Sequence, residues 1–237
     1  MVADMMEMCG KYGSQICIVC REIKFQIAFL CRMSISIIII AFTVGVSIWA
    51  WREPGVFEKN AFYPFKTWHD KEWYRIITSS FLHVDYQHLF FNMLTLFFFG
   101  SVVESYLGAY TGSGTLYFIL LYITGMLVSE IGTLFKFKDD RSYSSVGASG
   151  AVSAVIFSGI WFNPTSQILV MFIPMPGFVF GAIYLIYTAY SAKNDFSGRI
   201  NHDAHFYGSI WGVLFSIFVA PSSISNFFEA LINFKIF

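Results

Sequence analysis

Long apolar stretches that lack Asp, Glu, Lys and Arg dominate the chain after residue 32. They cover residues 33–51, 86–103, 105–129, 142–192 and 204–228. A helix that crosses a bilayer needs about 20 mostly apolar residues, so each stretch except the fourth has the length of one such helix. This pattern is typical of a protein that crosses a membrane several times.

The fourth stretch, 142–192, is too long for one helix, and prolines lie near its middle. Because proline ends or kinks a helix, we predict two spans within it, at 147–162 and 177–190. The chain then has six predicted spans in all. The short apolar segment 167–173 is expected to lie at the membrane interface rather than to cross.

The spans predict an all-α membrane protein organised in three regions. Residues 1–32 would form an N-terminal cytoplasmic extension that could be dispensable, and residues 33–221 the six-helix membrane domain. A large first external loop, 52–85, is rich in Trp and Phe and is expected to be partly embedded. Residues 222–237 mix Phe and Ile with charged residues, which predicts an amphipathic C-terminal tail at the interface.

Composition supports a membrane location. Hydrophobic residues make up 56% of the chain and charged residues 13%, whereas a soluble domain averages about 45–50% and about 25%. The net charge is zero, which argues against a nucleic-acid partner. All four cysteines lie within the first 31 residues, so no disulfide can connect the external loops. The single pair Cys17 and Cys20 is interpreted as part of a reduced cytoplasmic tail rather than as a zinc or redox site.

The orientation follows from the charges beside the first span. Arg21, Lys24 and Arg32 precede that span, and the first helix usually dominates topology. We therefore expect both termini in the cytoplasm. A count of every Lys and Arg in the six-span arrangement favours the opposite orientation.

Ser149 is one of a few polar residues that the pattern places inside the apolar slab, where polar groups are costly and usually face the protein interior or water. Gly147 and Gly150 bracket it at the start of the fourth span. The first N–H groups of a helix lack helical partners and could stabilise an oxyanion. The alternative is that these small residues serve only close helix packing.

His205 in the sixth span is the predicted partner of Ser149. It shares one helix face with Gly208 and Gly212, and two glycines at that spacing permit close contact with another helix. If this face packs on the fourth span, the imidazole comes within reach of Ser149 and could take its proton. The alternative is a histidine that only joins two helices by a hydrogen bond.

The second span contributes His88 and Asn92, which are four residues apart and therefore lie on one face. Two side-chain donors aimed at one point could stabilise a developing oxyanion. The alternative is polar contact between helices. A His/Asn pair without a carboxylate or cysteine makes a poor metal site, so we expect no metal and no cofactor.

In this order and spacing, the motifs resemble those of the rhomboid family of intramembrane serine proteases, over about residues 34–221. The motifs that carry the resemblance are Trp73-Tyr-Arg75, Phe81-Leu-His83, His88 with Asn92, Gly147-Ala-Ser149-Gly150, and Ala204-His205 with Gly208. The resemblance implies a six-transmembrane-helix rhomboid bundle. One departure is Ser153, where some relatives carry a ring that packs on the histidine.

The resemblance implies that Ser149 is the nucleophile and His205 the general base of a dyad. It implies an oxyanion hole of His88, Asn92 and the Ser149 backbone N–H. Structural support is expected from Arg75, His83, Gly147, Gly150, Gly208 and Gly212.

The implied activity is serine endopeptidase cleavage of single-span membrane proteins near the outer side of the bilayer, with a bacterial inner membrane as the expected location. Two alternatives stay open: a catalytically silent rhomboid-like protein that binds client helices, and a small membrane transporter.

Overall fold

Helices form nearly all of the regular structure in the computed structural model, which describes residues 34–170, 173–194 and 200–235. The predicted extension 1–32, with its four cysteines, lies outside the described residues. In chain order the elements are α1 (Ile35–Arg52), α2 (Pro54–Asn60), α3 (Pro64–His69), α4 (Arg75–Thr78), a 3₁₀ turn (Ser79–Phe81), α5 (Tyr86–Thr111), α6 (Gly114–Phe137), α7 (Ser149–Phe162), β1 (Gln167–Val170), β2 (Ile173–Pro176), α8 (Gly177–Asn194), α9 (His202–Val219) and α10 (Ser223–Ile232).

Three of the described helices, α1, α5 and α6, are long and apolar enough to cross a membrane. Helices α9 and α10 qualify together, although the chain bends by 117° between them, which raises the number to as many as four. Helix α7 is apolar but has only 14 residues. The chain is therefore a helical integral membrane protein with three to four candidate spans by length and composition.

The predicted boundary between the second and third spans was wrong. The apolar stretches 86–103 and 105–129 are separated by Glu104, which put the end of the second span at that residue, but α5 continues through it to Thr111 and ends at Gly112, which has a φ of 75°. The carboxylate is tolerated within the helix because it accepts hydrogen bonds from the Ile35 backbone N–H at 3.1 Å and from the Thr115 hydroxyl at 2.5 Å. A charged residue with such partners does not end a helix.

The sixth predicted span, 204–228, was also placed too far along the chain. Helix α9 ends at Val219, and the chain turns through Pro221 into the separate helix α10. Helix α10 is amphipathic, with large apolar side chains exposed at Ile224, Phe228 and Ile232. It lies within residues 222–237, and the interfacial position of that segment stays a prediction.

The apolar segment after α7 contains a β-hairpin that the sequence did not predict. Strands β1 and β2 pair antiparallel, with Gln167 opposite Pro176 and Leu169 opposite Pro174. Proline cannot donate to a ladder, so such a strand is confined to an edge position. The hairpin turns the chain from the end of α7 into α8.

Helix α7 lies at the centre of the bundle, and most of its residues are buried. Its packing against α9 depends on glycine: a Cβ at Gly208 would overlap the carbonyl of Gly150, and one at Gly212 would overlap the carbonyl of Ala154. Gly150 is in turn packed against the Ser129 hydroxyl of α6. Close backbone approach thus places the first turn of α7 beside the first turns of α9.

The loop between α1 and α5 is organised around Arg75, which is 3% exposed. Its Nη1 atom donates to the carbonyls of Glu58 at 3.0 Å and Ala61 at 2.9 Å, and its Nε donates to the Glu72 carboxylate. The planar guanidinium can serve several acceptors at once, which joins α2 to α4.

Candidate active site

A cavity of about 850 Å³ lies at the end of the bundle where α5, α7 and α9 begin. All four residues that the sequence predicted to act together, His88, Asn92, Ser149 and His205, line it. Since a helix begins with N–H groups that lack helical partners, this end of the bundle is suited to negative charge. The arrangement can therefore receive a polar group that approaches Ser149.

Ser149 is the first residue of α7 and is half-buried. The chain reaches it through Gly147, whose φ of 130° is a conformation that glycine adopts readily. A Cβ at Gly147 would come within 2.6 Å of the His88 ring, so only glycine permits this approach. The turn brings His88 of α5 close to the start of α7.

His205 lies in the first turn of α9 and contacts a residue that the sequence analysis missed. Its Nδ1 atom lies 3.1 Å from the Tyr184 hydroxyl of α8. The two rings are nearly parallel, at an angle of 11° and a centroid distance of 6.2 Å. No local pattern predicts this contact, because Tyr184 is one of several aromatic residues in the mostly apolar helix α8.

Ser149 and His205 face the same cavity, and among the described residues the hydrogen-bond partner of the His205 ring is Tyr184 rather than Ser149. Hydrogen bonds of catalytic groups are often long before substrate binds and tighten in the complex. The ring nitrogen of His205 that does not bond to Tyr184 is Nε2.

His88 and Asn92 lie one turn apart on α5, as expected from their spacing. Asp85 caps this helix and accepts from the His88 backbone N–H at 2.7 Å. Asn92 is 7% exposed, and its Nδ2 donates to the His88 carbonyl at 3.0 Å. An amide nitrogen has two N–H groups, so one remains for a ligand in the cavity.

His83 lies behind this site and is fully buried. The Ser47 hydroxyl donates to the Phe81 carbonyl at 2.9 Å and lies 3.0 Å from His83 Nδ1, so it accepts from that nitrogen. Nε2 then accepts from the backbone N–H of Ala148 at 3.4 Å. This network holds the residue directly before Ser149 and requires a neutral imidazole.

The electrostatics of His83 agree with that network. The pKa of His83 is lowered from its usual 6.5 to about 3, chiefly by burial and also by the nearby His88, while Asp85 partly opposes the shift. The His83 and His88 rings meet edge-on at a centroid distance of 4.9 Å. His83 therefore accepts from Ala148 throughout the neutral pH range.

A second polar group that the sequence analysis missed fixes the start of α9. The Asn201 side chain accepts from the Ala204 backbone N–H at 3.0 Å and so caps the helix that carries His205. Its Nδ2 donates to the Glu130 carboxylate at 3.0 Å, and its Oδ1 accepts from Thr133 at 2.8 Å. An Asn directly before a helix is a recognisable capping signal in a sequence. The sequence does not indicate that the same side chain also bonds to Glu130 and Thr133 on α6.

Metal-binding residues do not gather in the part of the chain that the structure describes: no group of three or more His, Cys, Asp or Glu side chains lies together there. The chemistry of the cavity rests on a hydroxyl, imidazoles and an amide. These groups suit nucleophilic and acid–base chemistry on a carbonyl compound.

Comparison with known proteins points to one family. The family model described as the Rhomboid domain matches residues 70–222, which is more than half of the chain. The match includes all four residues that line the cavity and were predicted to act together.

Curated relatives carry the same family name. RHOMBOID-like protein 12, mitochondrial, of Arabidopsis thaliana is 29% identical over 145 residues, which is 56% of this chain and 43% of that protein. Rhomboid protein 1, mitochondrial, of Saccharomyces cerevisiae is 31% identical over 152 residues, or 62% of this chain and 42% of that protein. Rhomboid protease GluP of Bacillus subtilis is 38% identical over 81 residues, or 34% of this chain and 14% of that protein. The chain thus matches less than half the length of each relative.

Proposed function

This chain belongs to the rhomboid family, and from that membership we propose that it is an intramembrane serine endopeptidase that cleaves transmembrane segments near the outer side of the bilayer. The observation that carries the proposal is that Ser149 and His205, from helices α7 and α9, line one cavity together with His88 and Asn92. Substrates are single-span membrane proteins. Neither a metal nor a cofactor takes part.

The reaction proceeds in two stages through an acyl-enzyme. In the first, Ser149 Oγ attacks the scissile carbonyl while His205 Nε2 takes its proton, and the imidazolium then protonates the leaving amine. In the second, His205 takes a proton from water, which attacks the ester. Ser149 recovers its proton when the new carboxylic acid leaves.

The oxyanion hole consists of the His88 side chain, the Asn92 amide and the backbone N–H of Ser149. These groups come from the first two turns of α5 and the first residue of α7, which are held together by the Gly147 turn. Donors that are already fixed in position stabilise charge without reorganisation as the oxyanion forms. The buried His83, through its bond to Ala148, keeps the start of α7 in place.

We propose six crossings, formed by α1, α5, α6, α7, α8 and α9. At 1.5 Å per residue, the 14 residues of α7 extend about 21 Å, which is less than a hydrocarbon core of about 30 Å. Ser149 at its first residue then lies below the membrane surface, in a cavity that water enters from outside. Substrate helices must unwind locally to expose a carbonyl there.

The regional organisation proposed is a cytoplasmic extension at 1–32, the membrane domain at 33–221 with the partly embedded external loop 52–85, and an interfacial tail at 222–237. Both termini lie in the cytoplasm of a bacterial cell, because Arg21, Lys24 and Arg32 precede the first span. Reporter fusions at the two termini, one active only inside the cell and one only outside, test this orientation.

Labelling with a fluorophosphonate in detergent tests the proposed chemistry. The wild type should be labelled on one serine and should cleave a model transmembrane substrate, whereas Ser149→Ala should do neither while remaining folded. Ser144→Ala is the matched control, because Ser144 lines the same cavity but has no proposed role. Cleavage by Ser149→Ala would overturn the proposal.

Two further outcomes identify the alternatives. A protein that binds the substrate helix and resists the probe would be a silent client-binding protein. Flux through liposomes that survives Ser149→Ala would indicate a transporter. Inhibition by a chelator such as EDTA would also contradict the serine mechanism.

A further inference from the structure

Tyr184 on α8 is a polar contact of His205 that the mechanism above does not use. Its hydroxyl lies 3.1 Å from His205 Nδ1 and 3.1 Å from the hydroxyl of Ser153, which is 2% exposed. On its other side the ring meets Phe157 of α7 at a centroid distance of 5.7 Å. One tyrosine thus joins α7 and α9 through its hydroxyl and its ring.

We propose that Tyr184 is a positioning residue that selects the proton state of His205, with Ser153 orienting the tyrosine hydroxyl; this inference rests on the proposed serine endopeptidase function. A neutral imidazole carries its proton on one nitrogen and accepts on the other. The general base must accept the Ser149 proton on Nε2, so the proton of the resting imidazole has to lie on Nδ1.

The chain of hydroxyls can hold this proton state. Each hydroxyl donates only one hydrogen bond, so two consistent directions exist. In the productive direction, His205 Nδ1–H donates to Tyr184 Oη, and the Tyr184 O–H donates to Ser153 Oγ. In the reverse direction, Ser153 donates to Tyr184 and Tyr184 donates to Nδ1, which leaves the proton on Nε2 and blocks the base.

The productive direction is also the one that the reaction strengthens. When the Oγ–H bond of Ser149 breaks and the Nε2–H bond of His205 forms, the imidazole becomes a cation whose Nδ1–H still donates to Tyr184. Tyr184 keeps its own proton throughout and donates it in a hydrogen bond to Ser153, so the step balances. A hydrogen bond from a charged donor is stronger than one from a neutral donor.

Within residues 34–170, 173–194 and 200–235, no carboxylate forms a hydrogen bond with the His205 ring. Asp203, two residues before His205, accepts from Lys136 Nζ at 2.9 Å. The His202 ring also lies near His205 and meets it edge-on at a centroid distance of 6.3 Å. Tyr184 therefore supplies the hydrogen bond that orients this imidazole, and its near-parallel ring restricts rotation.

The substitution Tyr184→Phe tests the proposal because it removes the hydroxyl and keeps the ring. We expect kcat to fall about 10- to 100-fold, because the variant lacks the hydrogen bond to the His205 cation that forms during the reaction. KM should change little, because that cation is not yet present when substrate binds. Tyr190→Phe is the matched control, because Tyr190 lies on the same helix with 68% of its surface exposed. It should retain wild-type kcat and KM.

Nitrogen-15 NMR of histidine-labelled protein measures which nitrogen of His205 carries the proton. A purely structural role of Tyr184 would leave that position unchanged. With the His205→Gln protein identifying the signal, the wild type should show the proton on Nδ1 near neutral pH, and Tyr184→Phe should shift the population toward Nε2. Proton residence on Nε2 in the wild type would overturn the proposal. Wild-type kcat together with an unchanged proton position in Tyr184→Phe would overturn it as well.

Ser153→Ala keeps both rings and carries the test if Tyr184→Phe does not fold. It should lower kcat by a smaller factor, roughly 3- to 10-fold, and should add little to Tyr184→Phe in the double variant, because both act through one chain of hydrogen bonds. A wild-type kcat in Ser153→Ala would contradict the proposal. So would a double variant in which the losses of kcat from the two substitutions multiply. If the proposed protease function is wrong, the wild type will neither cleave the substrate nor react with the fluorophosphonate. The NMR measurement of the His205 proton position still tests the contact with Tyr184 in that case.

Discussion

Nε2 of His83 accepts a hydrogen bond from the backbone N–H of Ala148 at 3.4 Å, which ties the end of the first loop to the residue before Ser149. Two long-range contacts, this bond and that of His83 Nδ1 with Ser47, place the loop, α1 and the start of α7 in one network. Protonation of His83 in acid is therefore expected to break contacts that hold the start of α7 in place, in addition to any effect of acid inside the cavity.

Stability should fall as the pH falls through the range between about 6.5 and about 3. The folded protein holds the pKa of His83 at about 3, whereas the unfolded chain protonates it at about 6.5, so the unfolded state takes up the proton first. The free energy of unfolding should decrease by up to about 1.4 kcal/mol per pH unit within this window. Thermal unfolding in detergent between pH 7.5 and pH 4 measures the effect.

The variant His83→Gln isolates that contribution, because its amide oxygen can accept from Ala148 but does not titrate. Its stability should depend less steeply on pH over the same window. Equal slopes for the variant and the wild type would show that His83 is not the responsible group.

Asn92→Ala should lower kcat about 10²- to 10³-fold with a small effect on KM, as expected when one oxyanion donor is removed. The control is Thr95→Ala: Thr95 lines the same cavity, but its hydroxyl already donates to the Phe91 carbonyl at 2.8 Å. Kinetics on a model transmembrane substrate distinguish the two. A loss of the same size in both variants would point to general disturbance of the cavity instead.

Gly208→Ala should destabilise the bundle by about 1–3 kcal/mol, because the new Cβ overlaps the Gly150 carbonyl and forces α9 away from α7. Gly45→Ala in α1 is the matched control, since a Cβ there meets nothing within 4 Å. That variant should keep or slightly raise stability, because alanine favours a helix more than glycine does. Unfolding temperatures of the purified proteins settle the comparison, and equal losses would refute the close-contact argument.

Arg75→Lys should destabilise the loop between α1 and α5, although it conserves the charge. An ammonium group cannot reproduce the guanidinium fork, in which Nη1 serves the carbonyls of Glu58 and Ala61 while Nε serves the Glu72 carboxylate. One unsatisfied buried acceptor costs roughly 1–3 kcal/mol. Arg141→Lys, at an exposed residue, provides the control. Limited proteolysis between α1 and α5 should proceed faster in Arg75→Lys only; equal rates would contradict the role of the fork.

Local patterns in the sequence were enough to predict a helical membrane protein. They also predicted that Ser149 and His205 lie close together. Bilayer thickness dictates the length of apolar stretches, and the spacing of Gly208 and Gly212 marks the face of α9 that meets α7. The cavity that Ser149 and His205 share is consistent with that reasoning, and their catalytic roles stay predictions.

Packing between distant segments determined where helices end and which polar groups meet, and local patterns do not predict these features. Glu104 looked like a helix end, yet α5 runs through it because partners from α1 and α6 satisfy its carboxylate. Tyr184 is one of many aromatic residues on an apolar helix, and only its approach to His205 distinguishes it. Periodicity tells which side of a helix is apolar, but hydrogen bonds between helices depend on how those helices are placed, which no local spacing encodes.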